Sequence, residues 1–209
     1  MELVATIDMP PPACGEVSDL RATVPDMQIT TEADRDRYWH QIGFHTAASK
    51  NGSHNGAPWP LQVQVAALVG NADIEASFSH FDGAGPSIWS VALITSDGRL
   101  IRIRMQFDAE QYDLDQDQAT TAEPVAATVS ESWVRRLSDV VSLDIGSVRM
   151  RPNGFGRVTQ DVLDVGDVTV TFRDGEVVNL GVDQLTMTMY DDRQRSDGFI
   201  ARLRHHTGL

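Results

Sequence analysis

Residues 88–107, which read IWSVALITSDGRLIRIRMQF, are the stretch that decides the fold class. Two apolar runs flank Ser96-Asp97-Gly98, and an Asp-Gly turn between such runs is typical of a β-hairpin. In the second run, apolar residues alternate with arginine and glutamine. That alternation is typical of a strand with one buried face and one wet face. The stretch therefore predicts an antiparallel sheet.

A second hairpin signal lies in the C-terminal part of the chain. Two apolar-rich runs, residues 168–172 and 176–180, flank Arg173-Asp174-Gly175, which has the same turn chemistry. Further runs with strand-like alternation are residues 61–65, 74–80, 143–151, 157–163 and 185–189. Together these runs predict that most of the ordered chain forms one or more antiparallel sheets.

Two amphipathic helices and a short C-terminal helix complete the predicted α+β fold. The first helix is predicted over residues 31–49, the second over residues 130–141, and the third from about residue 192. In the first two, apolar residues that include Trp39 and Trp133 recur at helical spacing. Each of these two helices therefore has a face that can cover a sheet.

The chain divides into an arm and two halves. Residues 1–29 contain four prolines and predict an extended N-terminal arm. Residues 30–107 form the first α+β half, residues 108–124 an acidic linker or loop, and residues 125–209 the second half. The predicted order of helix, strands and Asp-Gly hairpin is the same in both halves. Two similar halves are one interpretation, and a single domain with a chance match is the other.

Composition limits the classes of partner and compartment. The 209 residues carry a net charge of −13, which disfavours nucleic-acid backbones and anionic membrane surfaces and suits a basic protein partner. Cys14 is the one cysteine, so an intrachain disulfide is excluded. No signal peptide or apolar run of bilayer length is visible, and a cytoplasmic location is predicted. Abundant arginine beside a single lysine, Lys50, indicates a GC-rich bacterial or phage genome.

The candidate catalytic residues are His40, His45, His80 and Asp82. Histidine and aspartate are the usual partners in general acid–base chemistry, but these four stand in no known catalytic motif. His40 and His45 are five residues apart and diverge on a helix, whereas a zinc site needs three or four convergent ligands. The sequence therefore predicts no metal and no cofactor.

Arginines on the first hairpin are the candidate binding residues. Arg99, Arg102 and Arg104 lie on one strand and could bind an anion or an acidic partner. The alternative is that they pair across strands with the many aspartates of the same chain. Both interpretations stay open at this point.

The favoured hypothesis is a non-enzymatic protein–protein interaction protein. Inhibitor or immunity partners, adaptors and assembly subunits, including phage subunits, belong to this class. An acidic surface, an N-terminal arm and sheet edges suit docking to another protein or to a second copy of the chain. No complete catalytic motif occurs in the sequence, which favours a protein that is not an enzyme.

Two other classes remain as alternatives. The first is a hydrolase or lyase with a dispersed histidine and aspartate site. The second is a small-molecule-binding module, since strands closed by a C-terminal helix also occur in pleckstrin-homology-like barrels. That similarity concerns the order of elements alone and does not predict a ligand.

Overall fold

A computed structural model describes residues 32–50, 52–83, 85–119, 125–152, 158–187 and 189–209. The elements, in chain order, are α1 (Glu32–Thr46), β1 (Ala48–Lys50), β2 (Ser53–Asn55), α2 (Trp59–Val69), β3 (Ile74–Asp82), β4 (Ile88–Thr95), β5 (Arg99–Phe107), α3 (Leu114–Ala119), β6 (Ala127–Arg136), a 3-10 turn (Leu137–Asp139), β7 (Val140–Pro152), β8 (Val158–Phe172), β9 (Val177–Asn179) and α4 (Tyr190–Thr207). The arm predicted over residues 1–29 lies outside the described residues.

The strands form three antiparallel sheets. β1 pairs with β2, the four-stranded sheet has the order β3-β4-β5-β6, and the three-stranded sheet has the order β7-β8-β9. The helices α1, α2 and α4 pack against these sheets. The predicted α+β class with mostly antiparallel sheet is confirmed.

Both predicted Asp-Gly hairpins are present. β4 and β5 meet across Gly98, which has a φ of +77°, and its N–H donates to the carbonyl of Thr95 at 2.9 Å. β8 and β9 meet across Gly175, which has a φ of +87°. Both turns need a residue that tolerates positive φ, which is why the Asp-Gly signal located them correctly.

The strand predicted over residues 61–65 is wrong, because this segment lies in α2. Pro58 and Pro60 bracket the start of the helix, where a missing N–H costs nothing. Leu61, Val65 and Val69 are buried at helical spacing. The short apolar run fits the period of a strand as well as that of a helix. Packing against the four-stranded sheet selects the helix.

The helix predicted over residues 130–141 is also wrong, because residues 127–136 form β6. This strand pairs with β5, with Trp133 opposite Arg102. Pairing with a neighbouring strand supplies the hydrogen bonds that the predicted helix would have made internally. The second half therefore lacks the leading helix on which its comparison with the first half depends.

Two further strand predictions change in the structure. The described part of the first predicted run, residues 158–163, and residues 168–172 belong to one long strand, β8, instead of two separate strands. The strand predicted over residues 185–189 is wrong for its described residues, 185–187 and 189. Residues 184–186 form a turn, and the Met187 N–H donates to the carbonyl of Gln184 at 3.3 Å. The predicted C-terminal helix is confirmed as α4.

Three strands of the four-stranded sheet, β3, β4 and β5, carry buried side chains, and these side chains enter two cores on opposite faces. On one face the side chains join α1 and α2 in a first core. On the other face they join the three-stranded sheet and α4 in a second core. Successive residues of β4 point to opposite faces, so Val91 and Leu93 lie in the first core while Ala92 and Ile94 lie in the second.

The acidic segment over residues 108–124 packs on the first core in its described part. Tyr112 is 2% exposed, and its carbonyl accepts a hydrogen bond from the Trp89 indole at 2.9 Å. The Asp113 carboxylate lies 2.5 Å from the ammonium group of Lys50, which is itself buried. This ion pair ties the segment to β1.

A buried carboxylate joins the three-stranded sheet to α4. The side chain of Asp164 is fully buried and accepts hydrogen bonds from Arg151 at 2.6 Å and Arg149 at 3.4 Å. Arg151 also reaches Asp197 on α4 through two hydrogen bonds of 3.0 and 3.1 Å. The ion cluster therefore holds the β7–β8 hairpin against the helix.

We expect Asp164→Asn to lower the free energy of unfolding by about 2–3 kcal/mol. Asparagine keeps the shape of the side chain but removes the charge that both arginines bind. Asp144→Asn on the exposed side of β7 is the matched control, with a change below about 0.5 kcal/mol. Urea unfolding measures both variants, and equal midpoints for Asp164→Asn and the unmodified protein would contradict this role.

Candidate functional site

A cavity of about 290 Å³ lies at the edge strand of the four-stranded sheet. Four parts of the chain surround it: β1, β3, the loop after β9, and the first turn of α4. The lining residues are Ser49, Phe78, Ser79, His80, Phe81, Gly181, Asp183, Thr186, Met187 and Asp192. The cavity thus combines aromatic, hydroxyl, imidazole and carboxylate groups.

His80 lines this cavity, and three carboxylates act on its charge, of which Asp183 and Asp192 also line the cavity. It stands two residues after Phe78 on β3 and shares that face of the strand, where the second core ends. Partial removal from water lowers the pKa of His80, and the carboxylates of Asp82, Asp192 and Asp183 oppose this effect. Because the neutral imidazole carries no positive charge, it does not offset the negative charge of the three carboxylates.

The carboxylates are positioned by three different elements. Asp82 ends β3, and Asp183 turns the loop after β9 by accepting the Leu185 N–H at 3.0 Å. Asp192 lies in the first turn of α4, where a negative charge is stabilised by the helix dipole. Its oxygen lies 3.5 Å from Nε2 of His54 on β2. A protonated His54 would therefore form an ion pair with Asp192.

Aromatic and hydroxyl groups form the remaining walls. Phe81 packs on Trp89 of the first core with a ring-centroid distance of 5.2 Å. The ammonium group of Lys50 lies 5.4 Å from the centroid of the Phe81 ring, so this ring already has one cation beside it. The Ser49 hydroxyl is buried and has no hydrogen-bond partner in the described part of the chain.

The structure separates the four candidate catalytic residues. His80 lines the cavity, whereas Asp82 is not part of the lining; it ends β3 two residues later, and its charge acts on His80. His45 lies near the end of α1, with Nδ1 2.8 Å from the Ser77 hydroxyl. Ser77 is adjacent to Phe78 on β3 and so faces the opposite side of the strand from His80. His40 is exposed on α1.

The three candidate arginines have separate environments. Arg99 donates to the carbonyls of Leu68 and Val69 at 2.8 and 2.7 Å, and so caps the end of α2. Arg102 is 5% exposed, binds Glu131 at 3.3 Å, and donates to a backbone carbonyl of the second core. The prediction that this face of β5 is wet is wrong for Arg102. Arg104 is exposed.

Sequence reasoning missed Asp183, Asp192 and Ser49. Each stands in a segment without a motif, far along the chain from His80 or on another element. The acidic first turn of α4 was the one local signal, and it is equally typical of an ordinary helix start. These three residues come close to His80 only when the chain folds.

A nucleophile–base pair would require a hydroxyl or thiol group bonded to His80. In the described residues, no hydroxyl or thiol group forms a hydrogen bond with His80, so a nucleophile–base pair is absent there. The described residues also contain no group of three or more metal-ligating side chains that could hold an ion. None of their helices has both the length and the apolar character needed to cross a bilayer.

Comparisons with known proteins give no relative. No family model, no curated protein and no solved structure matches this chain.

We expect Asp192→Asn to lower the pKa of His80 further, because it removes a carboxylate that stabilises the imidazolium form. Asp191→Asn, at the next position of α4, is the matched control and should leave His80 unchanged. NMR titration of the histidine ring signals measures both variants. An unchanged His80 titration in Asp192→Asn would show that this carboxylate does not act on the cavity.

Proposed function

We propose that this protein is a non-enzymatic interaction protein whose cavity at β3 accepts a positively charged side chain of a protein partner. The observation that carries the proposal is the cavity itself, in which Asp183 and Asp192 line the wall together with His80, and two phenylalanine rings form another part of the wall. Carboxylates bind guanidinium and ammonium groups through charge-assisted hydrogen bonds, and aromatic rings attract cations.

The size of the cavity supports a single side chain as the ligand. Sites for drug-sized molecules occupy roughly 300–1,000 Å³, so a cavity of about 290 Å³ stands at the small end. An arginine or lysine side chain, or a small amine, suits this volume. A bidentate guanidinium group also suits two carboxylates that come from different elements.

The charge of the whole chain supports a basic partner. A net charge of −13 creates a long-range field that draws basic surfaces towards the protein and repels acidic ones. Such a field raises the rate of encounter, while the cavity would select the group that binds. The net negative charge of the chain and the carboxylates of the cavity both favour a positively charged partner.

Titration with N-acetyl-arginine amide, followed by NMR, tests this proposal. We expect the signals of His80 and Met187 to shift, and the double variant Asp183→Asn/Asp192→Asn to weaken binding by about tenfold or more, since hydrogen bonds to charged groups contribute about 1.5–3 kcal/mol each. N-acetyl-citrulline amide, which has the shape of the arginine ligand without its charge, is the control ligand. Equal binding of the two ligands would refute the recognition of charge.

The small-molecule-binding alternative uses the same cavity. A free amine and a basic peptide would then differ little in affinity, whereas a protein partner predicts tighter binding of the peptide because its flanking residues add contacts. The order of strands and C-terminal helix, which also occurs in pleckstrin-homology-like barrels, is compatible with this alternative. Comparing arginine amide with arginine-containing hexapeptides separates the two.

The hydrolase or lyase alternative is favoured by one observation, the position of His80 beside carboxylates that could orient it. It requires a substrate that brings its own reacting group, because no hydroxyl bonded to His80 is described. Hydrolysis of ester or amide substrates by the purified protein, abolished in His80→Ala, would support this alternative over the binding role.

A further inference from the structure

Arg195 joins three elements that meet beside the cavity. Its guanidinium group donates to the carbonyl of Phe44 in the last turn of α1 at 2.5 Å and to the carbonyl of Ala47, the residue after the helix, at 2.9 Å. It also lies 3.4 Å from the Ser77 hydroxyl on β3 and 5.0 Å from the centroid of the Phe44 ring. One side chain of α4 therefore holds α1 and β3 together.

His45 occupies the same junction. Its Nδ1 lies 2.8 Å from the Ser77 hydroxyl, and its carbonyl accepts a hydrogen bond from the Ser79 hydroxyl at 2.8 Å. The Ser77 hydroxyl thus lies between an imidazole and a guanidinium group. A neutral imidazole suits this arrangement, because it adds no second positive charge beside Arg195.

The junction connects two walls of the cavity. Ala47, which Arg195 binds, immediately precedes β1, and β1 contributes Ser49 to the cavity. Asp192, another wall residue, lies three positions before Arg195 on α4. The contacts of Arg195 therefore set how closely β1 approaches the first turn of α4.

We propose that this junction is an acid-sensitive latch: protonation of His45 places a second cation beside Arg195, separates α1 and β1 from α4, and releases the cationic ligand from the cavity. The inference rests on the proposed function for the ligand. The latch itself belongs to the chain alone and can be measured without any ligand.

The surrounding charges support this sensitivity. Burial, followed by the charge of Arg195, lowers the pKa of His45 from its ordinary 6.5 to about 4. On α4, Asp192 and Asp191 act on Arg195. On β3, His80 faces the other side of the strand, and Glu75 binds His206. Arg195 is thus the charged group that acts on His45 within the described residues.

The direction of the pH effect follows from the lowered pKa. An opened junction exposes His45 to water and restores a pKa near 6.5, so protons bind the open form more tightly than the closed form. The closed form is fully favoured above pH 6.5 and loses this advantage as the pH falls towards 4. Between pH 7.5 and pH 5 the ratio of open to closed forms should rise about 30-fold.

Hydrogen exchange of the backbone amides of residues 44–47 tests the latch in the ligand-free protein. We expect their protection, corrected for the intrinsic exchange rate, to fall about 30-fold from pH 7.5 to pH 5. His45→Gln keeps a hydrogen-bonding group without a titratable charge and should show equal protection at both pH values. His40→Gln on the exposed part of α1 is the matched control and should behave as the unmodified protein.

Equal protection of the unmodified protein at both pH values would overturn the latch, and so would an equal loss in His45→Gln. If His45→Gln does not fold, NMR titration of His45 in the unmodified protein and in Arg195→Gln takes its place. Removal of the guanidinium should raise the pKa of His45, and an unchanged titration would overturn the proposal.

Binding measurements distinguish failure of the latch from failure of the proposed function. The dissociation constant of N-acetyl-arginine amide at pH 7.5 and pH 5 should rise more in the unmodified protein than in His45→Gln. Binding with an equal pH dependence in both proteins overturns the latch and leaves the proposed function intact. Absence of binding at either pH, together with the expected loss of amide protection, overturns the proposed function and leaves the opening of the junction intact.

Discussion

The four-stranded sheet carries apolar side chains on both faces, and each face must be covered by another part of the chain. On β4 alone, Trp89 and Leu93 enter one core while Ala92 and Ile94 enter the other. Burying a large apolar side chain contributes about 1.5–3 kcal/mol relative to leaving it exposed. The helices α1 and α2 cover the first face, and the three-stranded sheet with α4 covers the second. The layered arrangement of the chain follows from this requirement.

The same requirement places the cavity. β3 is an edge strand; β1 approaches it because β1 follows α1, which covers one face of the sheet, and α4 approaches it because α4 itself covers the other face. His80 continues the face of Phe78 beyond the end of the second core, so it meets the loop after β9 and the first turn of α4. Polar side chains lie at this edge of the sheet because the apolar core ends at this edge.

Local signals predicted the elements whose conformation is set by neighbouring residues. Gly98 and Gly175 adopt the positive φ that their turns need, and both hairpins formed as expected. The strand predicted over residues 61–65 and the helix predicted over residues 130–141 are of the wrong type, because their short apolar patterns fit both the helical and the strand period. Packing on the first core selected a helix in one case, and pairing with β5 selected a strand in the other.

The sequence by itself determined the α+β class, the two hairpins, the net negative charge, and the closeness of His80 and Asp82 on one strand, because each depends on composition or on residues close along the chain. Only the tertiary structure decided that Asp183 and Asp192 join His80, that Arg102 is buried, and that Arg195 lies beside His45. These contacts link residues far apart in sequence, and the burial of two faces of one sheet, not any local spacing, brings them together.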